Sequence, residues 1–413
     1  MANPISINGK VYINLEIYGA NGEATNFQLT IDSFESATII TECDNMLPIC
    51  EITFKLPDYS LLNTIGKSET TFMLTASDVQ ENVEADDVKY RITNYNIRQG
   101  GDGKIYYTLY GILKSDKYDK DIAIKSFKDM NTFEVFKKLD LGEIMLDEED
   151  LYESNDKQTW IQHNCSTKEF ISRMLKNAYI EDGDSPLSAI TLDKKLRVLS
   201  IRKAFEKAAE QIKPTTEAKE QKESVDKQET PAPLITFSNH EAGAIRYSGY
   251  TVTTNRGIIQ KAFIDDRQQP VIDMYTQSKI RETNTIFSAI LSVFGYKQDT
   301  PNQETKPSGT YGNGIDYPIL INAGNCHANY YKALINNIKA KALLHSLNID
   351  LVVDLKYFKE KELKVLDIVQ FKPLDDKLQP IAEISGLYMV TKKMVSFSNG
   401  KNTTQLTLSK ILL

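Results

Sequence analysis

Residues 386–413 read GLYMVTKKMVSFSNGKNTTQLTLSKILL, and this stretch decides how the fold is interpreted. The runs Leu387 to Phe397 and Thr403 to Leu412 are rich in β-branched, aromatic and other apolar residues, which is typical of β-strands. Between them lie residues 398–401, and the Asn399-Gly400 pair inside this turn is a strong short-range signal for a hairpin. The stretch therefore predicts two antiparallel strands joined by a tight turn.

A similar hairpin is predicted near the start of the chain. Strands at 88–98 and 104–113 flank the loop 99–103, and the interval from Tyr90 to Gly103 is 13 residues, against 12 from Tyr388 to Gly400. Any two amphipathic hairpins can look alike, so chance similarity is one interpretation. The matched spacing favours the other, in which the chain carries two copies of one β-barrel.

The segments before the two hairpins also correspond loosely, with 50–55 in the first half and 367–372 in the second. Further short strands are predicted at 10–18, 27–31, 37–41, 71–75, 349–355 and 365–371. A helix at 328–342 should present Tyr331, Leu334, Ile335, Ile338 and Ala342 on one apolar face.

The middle of the chain has a different character. Ser166 and Glu169 have the spacing of a capping box and predict the start of a helix, and shorter helices are expected within 132–141 and 272–294. Residues 203–233 are rich in Lys, Glu, Gln, Thr and Pro and carry few bulky apolar side chains, so they predict an exposed linker, helical at most as far as Ile212.

The predicted fold class is α+β and mostly β: two antiparallel β-barrel domains with an inserted α/β region. The expected organisation is a first barrel at 1–118, an inserted α/β domain at 119–202, the charged linker at 203–233, a mixed α/β region at 234–327, and a second barrel with its preceding helix at 328–413.

Composition excludes several classes of function. The 413 residues carry 49 Lys and Arg against 56 Asp and Glu, a net charge of −7, which argues against non-specific nucleic-acid binding. Four cysteines make no disulfide framework, so synthesis in a reducing compartment is expected. Residues 1–18 have no signal-peptide pattern, and the most apolar stretch, 286–296, is too short to span a bilayer.

Candidate catalytic and metal patterns are weak. His163 with Cys165 and Cys326 with His327 supply zinc-ligand types, but neither spacing is usual for a zinc site. The acidic run 147–150 lacks the pattern of a calcium loop, and 182–184 is most simply a turn. No nucleophile elbow, zincin motif or phosphate loop is present. A structural protein without cofactor or metal is therefore predicted.

The order of elements at 328–413 resembles the baseplate hub proteins of phage tails and the related hub domain of type VI secretion spike proteins. A helix is followed by a strand, then by Leu363 to Val369 (LKVLDIV), by Gly386 to Thr391 (GLYMVT), a polar turn and a last strand. The first barrel and the helix after Trp160 extend the resemblance more loosely. Leu366 departs from the pattern, since the family often has Gly there, and the linker 203–233 has no counterpart.

The resemblance implies two tail-tube-like barrels per chain and a homotrimer whose six barrels continue a hexameric tail tube, while its other end receives a threefold central spike. The expected partners are a second and third copy of the chain, the tail tube protein, the spike and other baseplate proteins, with DNA only as passing cargo and no membrane. The expected location is the baseplate of a virion tail, or of a related contractile injection apparatus, made in the host cytoplasm. Candidate channel-lining residues are Thr93, Thr108, Thr391, Gln405 and Thr407.

Two other functions stay open at this point. A receptor- or glycan-binding baseplate protein would expose an aromatic-lined groove and need not repeat its barrel. A tail-associated peptidoglycan hydrolase would need a positioned acid and base, which spread carboxylates can supply.

Overall fold

The structure is a computed structural model of the chain. It describes residues 5–7, 11–27, 29–44, 47–67, 69–78, 86–151, 153–212, 234–254, 271–273, 278–280, 319–321, 326–330, 333, 336–337, 340–341, 344–353, 363–375, 377–398 and 401–410. None of the helices in these ranges is both long enough and apolar enough to cross a membrane.

The first part of the chain is almost entirely antiparallel β-structure. Its elements are β1 (Ile5–Ile7), β2 (Val11–Tyr18), β3 (Phe34–Glu42), β4 (Ile49–Leu56), α1 (Leu62–Ile65), β5 (Thr71–Asp78), β6 (Asp86–Gln99) and β7 (Ile105–Leu113). Alternate residues of these strands, among them Leu15, Ile52, Phe54 and Leu109, are buried in one core because side chains on a strand point to opposite faces in turn. We call β2 to β7 the first module.

The inserted region combines short helices with two small sheets. Its elements are α2 (Asp116–Asp119), β8 (Ile122–Met130), α3 (Thr132–Phe136), β9 (Met145–Leu146), a 3-10 helix (Glu148–Asp150), β10 (Gln158–Ser166), α4 (Thr167–Asn177), β11 (Pro186–Ile190), β12 (Lys195–Ser200) and α5 (Ile201–Ile212). The predicted capping box is confirmed: the Glu169 amide donates to the Ser166 hydroxyl, and the Ser166 amide donates to the Glu169 carboxylate.

The rest of the chain completes a second set of strands. Its elements are β13 (Thr236–Phe237), β14 (Tyr247–Thr254), β15 (Val271–Asp273), β16 (Ser278–Ile280), β17 (Ile319–Ile321), β18 (Leu347–Val353), β19 (Ile368–Phe371), β20 (Gly386–Ser398) and β21 (Lys401–Lys410). Helical residues precede β18 between 330 and 344. We call β13, β14 and β18 to β21 the second module.

Both modules belong to one 13-stranded sheet of the described residues, so the predicted mostly β fold class is confirmed. In the first module the neighbours run β5-β6-β7-β4-β3, and in the second they run β19-β20-β21-β18-β14. All these pairs are antiparallel. The two predicted hairpins, β6-β7 and β20-β21, hold the same place in the same strand order.

Irregularities in the strands fall at equivalent positions as well. The β6-β7 register shifts between Ile92 and Asn94, around Thr93, and the β20-β21 register shifts between Val390 and Lys392, around Thr391. Each of these two threonine hydroxyls donates to a carbonyl of the partner strand at 3.1 Å, Tyr110 in one module and Thr407 in the other. Matching β-bulges with the same side-chain hydrogen bond support a repeated unit.

A second pair of bulges extends the match to the far side of each module. The β3-β4 register shifts between Phe34 and Ser36, and the β14-β18 register shifts between Tyr247 and Gly249. Counting from these bulges, Ile39 of β3 corresponds to Val252 of β14, since their partners Cys50 and Ile349 lie opposite Gly111 and Leu408.

Several predicted boundaries differ from the structure. The register equates β4 with β18, so the predicted correspondence of 50–55 with 367–372 is wrong: β19 pairs with β20 as β5 pairs with β6. The second module also recruits β13 and β14, which lie in the region predicted as mixed α/β, before residue 328. Strand pairing joins segments that are near in space, and the intervening residues conceal this in the sequence.

Some predicted elements also change. No strand forms at 29–31, and α3, which is capped at its start by Asn131, ends at Phe136 instead of Leu141. Of the predicted helix within 272–294, only 272–273 and 278–280 are described, and they belong to β15 and β16; the other residues of this segment lie outside the described residues. Residues 203–212 continue α5, which buries Phe205 and Ala208, so the exposed linker predicted from 203 cannot begin before Lys213; residues 213–233 lie outside the described residues.

The helix before β18 packs through a polar position that the sequence did not indicate. Asn337 is buried, and its amide nitrogen donates to the carbonyls of Leu175, Lys176 and Ala178 at the end of α4. Its amide oxygen accepts from Ser185. The predicted apolar positions Tyr331, Leu334, Ile335, Ile338 and Ala342 lie outside the described residues.

Leu366 adopts a backbone φ of 78°, in the left-handed region that favours glycine. It is also buried, and its amide donates to the carbonyl of Val390 on β20. The position singled out in the sequence as a leucine in place of glycine therefore does have the backbone conformation of a glycine.

Candidate assembly surface

The two modules are joined edge to edge by strand pairing. β3 runs antiparallel to β20, with Ser36 opposite Ser398 and Glu42 opposite Lys392. The hydroxyls of Thr38 and Ser396 lie 3.2 Å apart across this joint. On the other face of the sheet, Val395 and Phe397 are buried in the core of the first module. The joint between β3 and β20 makes one continuous sheet out of two repeated units.

The face of this sheet opposite the core is mainly polar. The side chains on this face lie on the same side of the sheet as those of Thr38 and Ser396, and none of them is buried. We call this set the polar face: Ser36, Thr38, Ile40, Glu42, Glu51, Thr53, Lys55, Asn94, Asn96, Arg98, Tyr106, Thr108, Tyr110, Ile112, Asn348, Asp350, Val352, Lys392, Met394, Ser396, Thr403, Gln405 and Thr407.

Charges on the polar face are mixed in sign. Carboxylates and cations both occur, and Lys392 lies 4.0 Å from Glu42 across the joint. Lys55 donates to Glu35, at the edge of this face, at 2.6 Å, and that hydrogen bond raises the pKa of the Lys55 ammonium. Asp350 accepts a hydrogen bond of 2.7 Å from Thr407. Mixed charges of this kind give the polar face no strong attraction for a polyanion.

Four of the five candidate channel-lining residues are accessible. Thr108, Gln405 and Thr407 lie on the polar face, where the Thr108 hydroxyl is 3.1 Å from that of Thr53. Thr93 is exposed at the bulge of β6.

Thr391 is placed differently from the other four. It is only 2% exposed, and its hydroxyl lies 2.8 Å from that of Ser409, which is itself buried. Alternation along the strand could not indicate this burial.

The two His and Cys pairs considered as zinc ligands do not come together as a metal site within the described residues. His163 is exposed and Cys165 is buried, whereas His327 is buried and its ring bonds the carbonyl of Asn177 at 2.8 Å. Burial lowers the pKa of His327 and favours its neutral form. Among the described residues no group of three metal-ligating side chains occurs.

Asp184 is a buried carboxylate that the sequence suggested only as part of a turn. It accepts hydrogen bonds from the Ser200 hydroxyl and from the amides of Ser185 and Arg202. Burial raises the pKa of this carboxyl group, while the hydrogen bonds act in the opposite direction. These partners hold the start of α5, so the role is structural.

The chain is similar to solved structures of tail proteins. The crystal structure of the tail protein from Neisseria meningitidis MC58 superposes with a TM-score of 0.51 at 11% identity, covering 96% of each chain. The chain has the fold of a tail protein. The 43 kDa tail protein of prophage MuSo2 from Shewanella oneidensis gives a TM-score of 0.49 at 9% identity over 96% of this chain and 95% of the other.

A more distant likeness involves secretion components. The c3393 protein of E. coli, a component of the type VI secretion system, gives a TM-score of 0.43 at 8% identity, covering 95% of this chain and 76% of that protein. No protein-family model and no curated sequence matches the chain. The tail-protein fold thus rests on structure, at a sequence identity too low to identify a function.

Proposed function

We propose that this protein is a structural baseplate hub of a phage tail or a related contractile injection apparatus. In this role it forms a homotrimer that adapts the hexameric symmetry of a tail tube to a threefold central spike. The observation that carries the proposal is the repeat: two modules with one strand order are joined edge to edge, in the fold of a tail protein.

Symmetry gives the repeat its use. A ring of six like units can stack on a six-membered tube, whereas a ring of three chains can receive a threefold spike. Three copies of a chain with two equivalent modules satisfy both requirements. The tail tube protein, the spike and other baseplate proteins are accordingly the proposed partners, assembled in a virion tail after synthesis in the host cytoplasm.

The polar face supplies a wall for the channel of such a ring. We propose that Thr108, Gln405 and Thr407 line it, together with the exposed Thr93, and that Thr391 does not, because its side chain is buried. Small polar side chains and charges of both signs suit a channel through which DNA passes without being retained. No catalytic role is proposed.

Native mass spectrometry of the purified chain, followed by a cryo-EM reconstruction, tests this function. Three copies around a channel with approximate sixfold symmetry are expected, with the polar face toward the channel. A stable monomer, or a ring of six copies, would overturn the hub proposal, and a monomer at the periphery of the tail would instead favour receptor binding.

A further inference from the structure

Among the described residues, two strand edges have no pairing partner. On β20, one side pairs with β21, and the other side pairs first with β19 and then, over residues 392–398, with β3. On β6, one side pairs with β7 and the other with β5 only as far as Arg91. Within the described part of the chain, nothing pairs with this second side of β6 over residues 94–99.

The matching edge lies at the other end of the sheet. β14 pairs with β18 on one side, and no described strand pairs with its other side. Since β14 corresponds to β3 and β6 corresponds to β20, the two unpaired edges are the counterparts of the two strands that make the joint inside the chain.

Burial differs between the paired and the unpaired counterparts. At the joint, Ile39 is 3% exposed, whereas its counterpart Val252 on β14 is 37% exposed. Lys393 on β20 is 8% exposed, whereas its counterpart Tyr95 on β6 is 38% exposed. Exposed apolar side chains beside unpaired backbone groups mark an edge that another strand can extend.

We propose that β14 of one copy pairs antiparallel with β6 of the next copy in the register of the internal joint. This inference rests on the proposed trimer and specifies its interface. At the internal joint, Thr38 lies opposite Ser396. Their counterparts are Thr251 on β14 and Arg98 on β6, so the same register places Thr251 opposite Arg98. This register also places Val252 opposite Ile97, Tyr250 opposite Gln99, and Thr253 opposite Asn96.

The strand that pairs with each exposed edge comes from a second copy of this chain, because the two edges have the same features as the two strands that pair at the internal joint. β3 and β14 share their bulge position, their direction relative to the neighbouring strand and the outward face of their polar residues. β6 and β20 share a bulge at the equivalent position of their hairpins. The pairing head to tail through three copies closes a ring without leaving either edge unpaired.

Cysteine cross-linking of the full chain tests the register. The variant Thr251→Cys/Arg98→Cys should form disulfides between copies under mild oxidation and give a three-chain band on a denaturing, non-reducing gel. Thr38→Cys/Ser396→Cys is the matched control at the internal joint, where the disulfide should form within one chain. The single variants Thr251→Cys and Arg98→Cys measure any contribution from the four native cysteines.

Thr251→Cys/Asn96→Cys tests a register shifted by two residues. Diagonal neighbours in an antiparallel pair are about 7–8 Å apart, at or beyond the reach of a disulfide, so this variant should cross-link at least tenfold less. Equal or better cross-linking of the shifted pair would overturn the register.

The remaining outcomes separate the interface from the trimer. A preparation that native mass spectrometry shows to be trimeric, but in which neither pair cross-links, overturns the proposed interface and leaves the hub function standing. A two-chain band as the end product overturns the ring. A chain that stays monomeric at every concentration overturns both proposals.

Discussion

The two bulged hairpins carry the same local structure in different surroundings. Thr93 and Thr391 occupy equivalent bulges and make the same hydrogen bond to the partner strand, yet Thr93 is exposed and Thr391 is buried. The Thr391 hydroxyl lies 2.8 Å from that of the buried Ser409, next to the part of β20 that pairs with β3, whereas no described strand pairs with the corresponding part of β6. A repeated sequence pattern thus sets the backbone, while the surroundings of each hairpin set the burial.

The largest expected effect on stability comes from truncating a side chain that is buried at the joint between β3 and β20. The equivalent exposed residue on β6 provides the comparison. Phe397→Ala removes a side chain that is buried in the first module's core, and a cavity of this kind costs about 3–5 kcal/mol of unfolding free energy. Gln99→Ala changes the exposed counterpart and should cost less than about 0.5 kcal/mol. Denaturant unfolding of both variants measures the contrast, and similar losses would refute the assigned equivalence.

An exchange of volumes between the cores offers a sharper test. In the first module Phe72 stacks on Tyr90 at 5.2 Å and lies over Gly111, where a Cβ atom would approach the Phe72 ring to 2.6 Å. In the second module the counterparts of Phe72 and Gly111 are Val369 and Leu408. The first module therefore combines a large residue with glycine at these two positions, whereas the second module has two residues of intermediate size.

Gly111→Leu alone should lose about 1–3 kcal/mol of stability through overpacking, and Phe72→Val alone about 2–4 kcal/mol through a cavity. The double variant should lose at least about 1 kcal/mol less than the sum, since it recreates the pair used in the second module. Equilibrium unfolding of the three variants completes the cycle. Additive losses would show that these positions do not exchange volume.

The smallest expected effect is a dependence on pH that arises from at least partly buried histidines outside the first module. The first module has no histidine, whereas His345 lies within 3.4 Å of Ser409 on β21. Burial lowers the pKa of His345, opposed by Asp44 and by a hydrogen bond with Asn348. The unfolded chain therefore takes up the proton more readily, and stability should fall as pH decreases through about 6.5.

His327 acts in the same direction, because burial lowers its pKa too. Each unit of difference in pKa between the folded and unfolded chain corresponds to about 1.4 kcal/mol, and the loss levels off below the folded pKa. Unfolding of the wild type and of His345→Gln at pH 7.5 and 5.5 measures it, with a smaller pH effect expected in the variant. If the variant has the same pH dependence as the wild type, His345 is not the source of the effect.

Local signals in the sequence were sufficient for much of the fold. The hairpin β20-β21, the helix start at Ser166 and the mostly β class followed from turn residues, a capping pair and the pattern of apolar residues. Other elements differ from the prediction: the Ser33 and Phe34 amides donate to the Thr30 carbonyl and form a turn where a strand was expected, and α3 ends at Phe136, short of the predicted Leu141.

The candidate assembly surface was only partly predictable. Thr108, Gln405 and Thr407 were found from alternation alone, because a strand's polar residues share one face whatever lies beside it. The exposed edges of β6 and β14 had no sequence signal, since β14 was not recognised as a member of the second module. Its partner β18 begins 100 residues after the start of β14, beyond the reach of any local pattern.

By itself the sequence determined which segments form strands, where the hairpins turn and that the unit is repeated, because these depend on residues close together in the chain. Only the tertiary structure decided that β3 pairs with β20, that Leu366 takes a glycine-like backbone conformation while its amide bonds Val390, and that Thr391 is buried while Thr93 is not. These features depend on contacts between segments that are not neighbours in the chain, such as Leu366 and Val390, 24 residues apart, and Glu42 and Lys392, 350 residues apart. Such contacts are fixed by which edges meet, and alternation within a strand cannot specify its neighbour.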